Sequence, residues 1–172
     1  MTKLWDILKN KLQNENGIIS IGFSDIVGSG IASIFWLYIA SVIEPEAYGE
    51  IHYFLGIAGM AQIISMIGSS HALTVYSAKK EKVQSTLFLL SIIPTIISSV
   101  IIVIIFYRID SALLVFGYVI FESVNAVTLG RKYYRKYAKI ILIQKSLTIV
   151  LGISFFYLFG AVGIIFALAL TF

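Results

Sequence analysis

The sequence predicts an all-α, polytopic membrane protein of about six transmembrane helices forming one bundle. Three observations carry this. Of 172 residues, 59% are hydrophobic and 13% charged, with a mean hydropathy of +0.94, whereas a soluble domain is nearer half apolar and a quarter charged. No water-soluble fold of this size has an interior that would hide so much apolar surface. The apolar residues also fall in runs long enough to cross a hydrocarbon core of about 30 Å, divided by short charged loops. Finally, the basic residues gather in alternate loops.

The elements follow in chain order. Residues 2–14 put Leu4, Trp5, Leu8 and Leu12 on one helical face with lysines elsewhere, the pattern of a short helix at headgroup level. Residues 1–16 are read as this cytoplasmic amphipathic segment and 17–172 as the transmembrane six-helix bundle. Lys3, Lys9 and Lys11 precede the apolar stretch 17–43, which is far longer than a secretory h-region and has no small-residue cleavage site, so it is a retained first span. Glu44-Pro45-Glu46 opens the next helix, with proline at its first position and acids near its positive end. Span 2 covers 47–76. Span 3, 83–107, carries Pro94 near its middle, where the missing backbone donor predicts a kink. Span 4 is 111–129 and span 5 is 137–159. The segment from Gly160 to Phe172 reaches only about 20 Å at about 1.5 Å per residue, so the sequence is expected to be truncated and the working protein longer.

Eleven of the thirteen basic residues fall on one side: Lys3, Lys9, Lys11, Lys79, Lys80, Lys82, Arg131, Lys132, Arg135, Lys136 and Lys139. The other side holds Arg108 with Glu44, Glu46, Glu50 and Asp110. This asymmetry places the N-terminus in the cytoplasm. It also accounts for the net charge of +4 without nucleic acid. Tyr133, Tyr134 and Tyr137, interleaved with bases, read as headgroup-level anchors.

Enzyme readings find no footing. There is no cysteine, no G-x-S-x-G, no phosphate-binding glycine loop and no H-E-x-x-H. His52 and His71 lack an acidic or thiol partner nearby, so neither a metal nor another cofactor is expected, and His52 reads as an interfacial or packing residue.

Charge at membrane depth is the informative feature. Asp25, Glu122 and Lys145 each cost at least about 2–3 kcal/mol at mid-bilayer unless paired or hydrated. Counted from the span ends, all three lie about 12 Å from the basic boundary. Gly22, Asp25, Gly28, Ser29 and Ala32 share a face of span 1, and Gly56, Gly59 and Gln62 a strip of span 2. Tyr118, Glu122 and Asn125 share a face of span 4, and Lys145, Thr148 and Gly152 one of span 5. Either these faces line a watery cavity, or Lys145 pairs with a carboxylate and glues helices together, with the glycines as packing surfaces.

The stretch 41–80 contains Pro45-Glu46, Tyr48, Gly49, a long apolar helix, and Gly68 with Ser69-Ser70. It resembles the first hairpin of Wzx-type polysaccharide flippases, in the multidrug/oligosaccharidyl-lipid/polysaccharide exporter superfamily. Tyr133 to Lys145 is similar to that family's basic-aromatic lead-in to span 5, and Gly160-Ala161-Val162-Gly163 to its glycine turn before span 6. Ser41 and Glu44 depart from the family's basic residue and glycine before the proline. The family is built from two six-helix lobes, of which this chain matches the N-terminal one.

The resemblance implies a plasma-membrane exporter of polyprenyl diphosphate-linked saccharide, working by alternating access. Its partners would be that lipid, membrane lipids, a coupling proton or sodium ion, and a C-terminal lobe or second copy. In that reading Lys145, with Arg131 and Lys139 at a basic approach, attracts diphosphate. Asp25 and Glu122 support coupling, and Gln62 and Asn125 bond to sugar. The alternatives are a cation-coupled drug antiporter of the same superfamily and a non-transporting membrane scaffold.

Overall fold

The computed structural model describes the backbone of residues 2–172 and the side chains of residues 17 and 19–172. It is all helical, with seven helices: α1 (Thr2–Val42), α2 (Pro45–Met66), α3 (Ser69–Ala78), α4 (Gln84–Phe106), α5 (Ile109–Gly130), α6 (Tyr134–Phe159) and α7 (Ala161–Thr171). The α1 backbone shows no break before residue 17, so the separate short helix expected at 2–14 is continuous with the first span. The stripe of Leu4, Trp5, Leu8 and Leu12 lies outside the described side chains.

Four helices are long and apolar enough to cross a membrane, or five if α2 and α3 form one bent span. Six were expected. The sixth apolar segment is α7, whose 11 residues reach about 16 Å. Large apolar side chains face outward on every candidate span, among them Ile26, Leu37, Ile63, Leu90, Ile104 and Leu158. Water would penalise that surface; acyl chains do not. The chain is a multi-pass membrane protein.

Span 2 is not the continuous helix expected over 47–76. It bends by 53° between α2 and α3. Ile67 (φ 38°) and Gly68 (φ 77°) both take left-handed backbone there. Two such residues in succession end one helix and redirect the next. Gly68 takes this geometry without a Cβ penalty, while Ile67, β-branched, is held in it against preference. By contrast α4 continues as one helix through Pro94.

Helix α5 is the axis of the bundle, with half of its span buried against 17–22% for α1, α4 and α6. It packs against α2, α3, α4 and α7, and more lightly against α6. The main core gathers Phe35, Ile39, Ile51, Phe54, Leu114 and Ile164 toward the acidic end, and a smaller cluster of Met66, Leu73, Val119 and Ala126 lies toward the basic end. Where α3 meets α5, Gly130 lies so close to the Thr74 carbonyl and Ser77 that a Cβ there would strike backbone.

The acidic end is closed by one arginine. Arg108, between α4 and α5, donates through Nε and Nη2 to Asp110 (3.0 and 2.8 Å) and through Nη1 to Glu50 of α2. Its guanidinium stands 4.4 Å over the Phe54 ring. The hydrogen bond to Asp110 holds the guanidinium above its ordinary pKa, despite partial burial. Asp110 is only 3% exposed, so its charge depends on this partner.

Two substitutions test these contacts. Gly130→Ala should cost about 1–3 kcal/mol through backbone displacement at the α3–α5 crossing, whereas Gly59→Ala, whose Cβ would meet nothing within 4 Å, should leave the melting midpoint in detergent unchanged. Arg108→Gln should cost about 2 kcal/mol by stranding a buried carboxylate, and adding Asp110→Asn should recover much of it.

Candidate functional site: a groove between α1 and α2

Helix α1 leans on α6 and scarcely touches α2. The α1–α6 contact is parallel and in constant register. Gly17 meets the Tyr134 ring, Gly28 the Lys145 side chain and Gly152 the Phe35 ring, an offset of 117 positions each time. The Tyr38 and Tyr157 hydroxyls are hydrogen-bonded at 2.8 Å farther along. Gly28 and Gly152 thus act as packing surfaces.

Because α1 follows α6, a groove of about 620 Å³ opens toward α2, lined by Ser29, Ala32, Ser33 and Trp36 of α1 and Tyr48 and His52 of α2. Asp25 lies one turn before Ser29 on the same stripe of α1, and it is exposed. On α2 the stripe through Tyr48, His52 and Leu55 continues to Gly59 and Gln62. Gly22, Gly56 and Gly59 would place a Cβ in open space. Small residues here keep the groove wide; they do not bring helices together.

Beneath the groove lies a cavity of about 310 Å³ that shares Ala32, Trp36 and His52 with it. Tyr118 of α5, Gln144, Lys145 and Thr148 of α6, and Leu168 and Phe172 complete its walls. Lys145 is half-buried and, among the described residues, has no carboxylate within ion-pair distance; the only ion pairs there are those of Arg108. The expected alternative of a glued Lys145–carboxylate pair is therefore not what holds α6 in place.

The two acids sit nearer the basic end. Glu122 accepts a hydrogen bond from the Ser70 hydroxyl (2.7 Å), which ties α5 to the first turn of α3 just after the bend. Asp25 and Lys145 are not level. The constant offset sets Lys145 beside Gly28, three residues beyond Asp25 and so about 4.5 Å deeper. The reason is that α6 begins at Tyr134, a turn earlier than expected.

The remaining candidates are dispersed. Gln62 donates to the Met66 sulfur at 3.5 Å. Asn125 is buried, its Oδ1 without a protein donor. Arg131 is exposed and donates to Gln84 Oε1 (2.9 Å), joining the end of α5 to the start of α4. Lys139 is exposed in a separate furrow between α1 and α6.

Sequence reasoning overlooked two features of the cavity. His52, read as an interfacial or packing histidine, stacks on Trp36 and Tyr48 (4.5 Å to each) and lines both hollows. Gln144, 3% exposed, donates to Thr148 (3.1 Å), which in turn contacts Thr171 (3.2 Å), yet its Oε1 meets no protein donor. The i, i+4 spacing of Tyr48 and His52 was a usable signal, but Gln144 next to Lys145 carried none.

No protein-family model, curated protein or solved structure matches this chain.

The absence of native cysteine makes the groove directly testable. Single cysteines at Ser29 and Gly59 should react with a membrane-impermeant maleimide at least about tenfold faster than cysteines at Ile93 or Ile104, which face acyl chains. Equal rates would mean that the groove is filled with lipid.

Proposed function

We propose that this chain is one lobe of a membrane exporter that flips polyprenyl-linked oligosaccharide for cell-surface polysaccharide synthesis, acting as a transporter and not as an enzyme. The observation that carries the reading is Lys145: a cation without a carboxylate partner among the described residues, in the wall of a cavity that shares Ala32, Trp36 and His52 with the α1–α2 groove. Such a lysine persists at membrane depth when water or an anionic cargo compensates it. A diphosphate is that kind of anion.

The rest of the cavity suits a saccharide. Gln144 lines the cavity with its Oε1 buried and without a protein donor, and a turn of its amide toward the cavity would let a sugar hydroxyl supply one. The Trp36, His52 and Tyr48 rings offer electron-rich faces to the C–H bonds of a pyranose. Asp25 and Glu122, on the basic side of the cavity, are the groups we assign to a coupling proton or sodium ion. By the basic-loop rule the basic end, with the N-terminus, faces the cytoplasm of a plasma membrane. The groove then takes its opposite wall from a C-terminal lobe or a second copy, and the two walls rock in alternating access.

A drug antiporter of the same superfamily is the second reading. It is favoured by Asp25, exposed on the groove stripe, and opposed by Lys145, which repels a cationic drug from the cavity. A scaffold role would account for Glu122 through its contact with Ser70 but would leave Lys145 and Asp25 without a structural contact of that kind among the described residues.

Lys145→Ala should lower transport of lipid-linked saccharide at least about tenfold, the loss of one charge-assisted contact. Lys145→Arg should keep most of it, and Asp25→Asn should uncouple transport from the ion gradient. If Lys145→Ala and Asp25→Asn both transport at the wild-type rate, the site assignment is wrong. Export of cationic dyes that needs Asp25 but not Lys145 would select the antiporter.

A further inference from the structure

Two parallel helices in contact leave a furrow on each side. On the α1–α6 pair, one furrow is the front, facing α2, with Lys145 in its wall. The other runs along the back, about 380 Å³, lined by Ile19, Phe23 and Ser24 of α1 and by Arg135, Lys139 and Leu142 of α6. Lys139 and Lys145 are six residues apart, hence about 120° apart around α6, and Phe23 and Ser29 are separated in the same way on α1. The front and back furrows are therefore distinct surfaces.

The back furrow faces lipid. Helix α1 packs mainly on α6 and lightly on α2, and the residues that line the back furrow come from α1 and α6 only. Exposed Ile19, Phe23, Ile26 and Ile143 flank it. At its basic end Arg135 and Lys139, one turn apart on the same face, are both exposed and, among the described residues, have no carboxylate within ion-pair distance. They fall in the first two turns of α6, at headgroup depth. That helix start has no side-chain cap and no acid in its first turn, so its positive end adds to the same field.

We infer that the back furrow of the α1–α6 pair is a binding site for an anionic phospholipid, its phosphate held by Arg135 and Lys139 and an acyl chain laid along Ile19, Phe23 and Leu142. Apolar walls with two cations at one end, unpaired among the described residues, complement an acidic headgroup with a tail. Lys139 thereby receives a role apart from cargo, and the inference stands whether or not the chain transports anything.

The test is lipid binding to the full chain purified in detergent, read by native mass spectrometry and by thermal shift. Phosphatidylglycerol, phosphatidylcholine and undecaprenyl phosphate are the probes. Phosphatidylglycerol should bind at least about tenfold more tightly than phosphatidylcholine. The pair Arg135→Gln with Lys139→Gln should weaken it roughly thirtyfold, while Arg135→Lys with Lys139→Arg should keep it. The same paired change at Arg131 and Lys132, exposed bases outside the furrow, should have no effect. Each single glutamine variant should lose about fivefold, which keeps the test decisive if the pair fails to fold.

No preference for phosphatidylglycerol overturns the inference. So does an equal loss from the Arg131 and Lys132 pair, which would mean diffuse surface charge. Tighter binding of undecaprenyl phosphate through Arg135 and Lys139 would make the furrow a cargo site, and a dimer that dissociates in the glutamine pair would make it a subunit contact; either result refutes the phospholipid.

Discussion

The arrangement of this bundle follows from which partner α1 chooses. In lipid, two helices gain little from apolar side chains alone, because acyl tails solvate these equally well; close approach at small residues is what holds them together. Gly28 under Lys145 and Gly152 under Phe35 allow α1 and α6 that approach, in parallel and in constant register. On α2 the small residues Gly56 and Gly59 meet nothing. Helix α1 is therefore drawn toward α6 and away from α2, and both furrows on the α1–α6 pair exist because of it.

That choice has an electrostatic consequence. A lysine in the middle of α6 would be costly against acyl chains or a closed core. It sits instead where α1 has been pulled aside, in a cavity walled by His52, Tyr118, Gln144 and Thr148. The acidic end is treated in the opposite way. Arg108 there is fully engaged with Asp110, Glu50 and the Phe54 ring, which fastens α2, α4 and α5 into a unit. The molecule thus spends one cation on rigidity and leaves another without a partner. The hydrogen bond from Ser70 to Glu122 lies at the seam between these regimes, beside the left-handed pair Ile67–Gly68.

Much of this was legible in the residues. The spans expected over 83–107, 111–129 and 137–159 agree within a few residues with α4, α5 and α6, because hydropathy reports a property of each segment on its own. Pro45 does open α2. The bend at Ile67–Gly68 was missed even though Gly68 with Ser69-Ser70 is among the residues that carry the family resemblance, since apolar residues on both sides keep the hydropathy run intact. Asp25, Glu122 and Lys145 stood out because ionised groups in apolar runs are rare. Their relative depth did not, because it depends on where α6 begins.

From the amino-acid order alone came the solvent, the number and approximate limits of the apolar segments, the segregation of basic and acidic loops, and the three charges in the spans. Each is a sum over neighbouring residues and needs no knowledge of what packs where. The tertiary structure decided that Lys145 faces a cavity with no ion-pair partner among the described residues, that Lys139 on the same helix turns to the opposite furrow, and that Gln144 is left with an idle acceptor. Those outcomes turn on rotations of about 100° per residue and on which helix approaches which, and a list of residues carries neither until the helices have met.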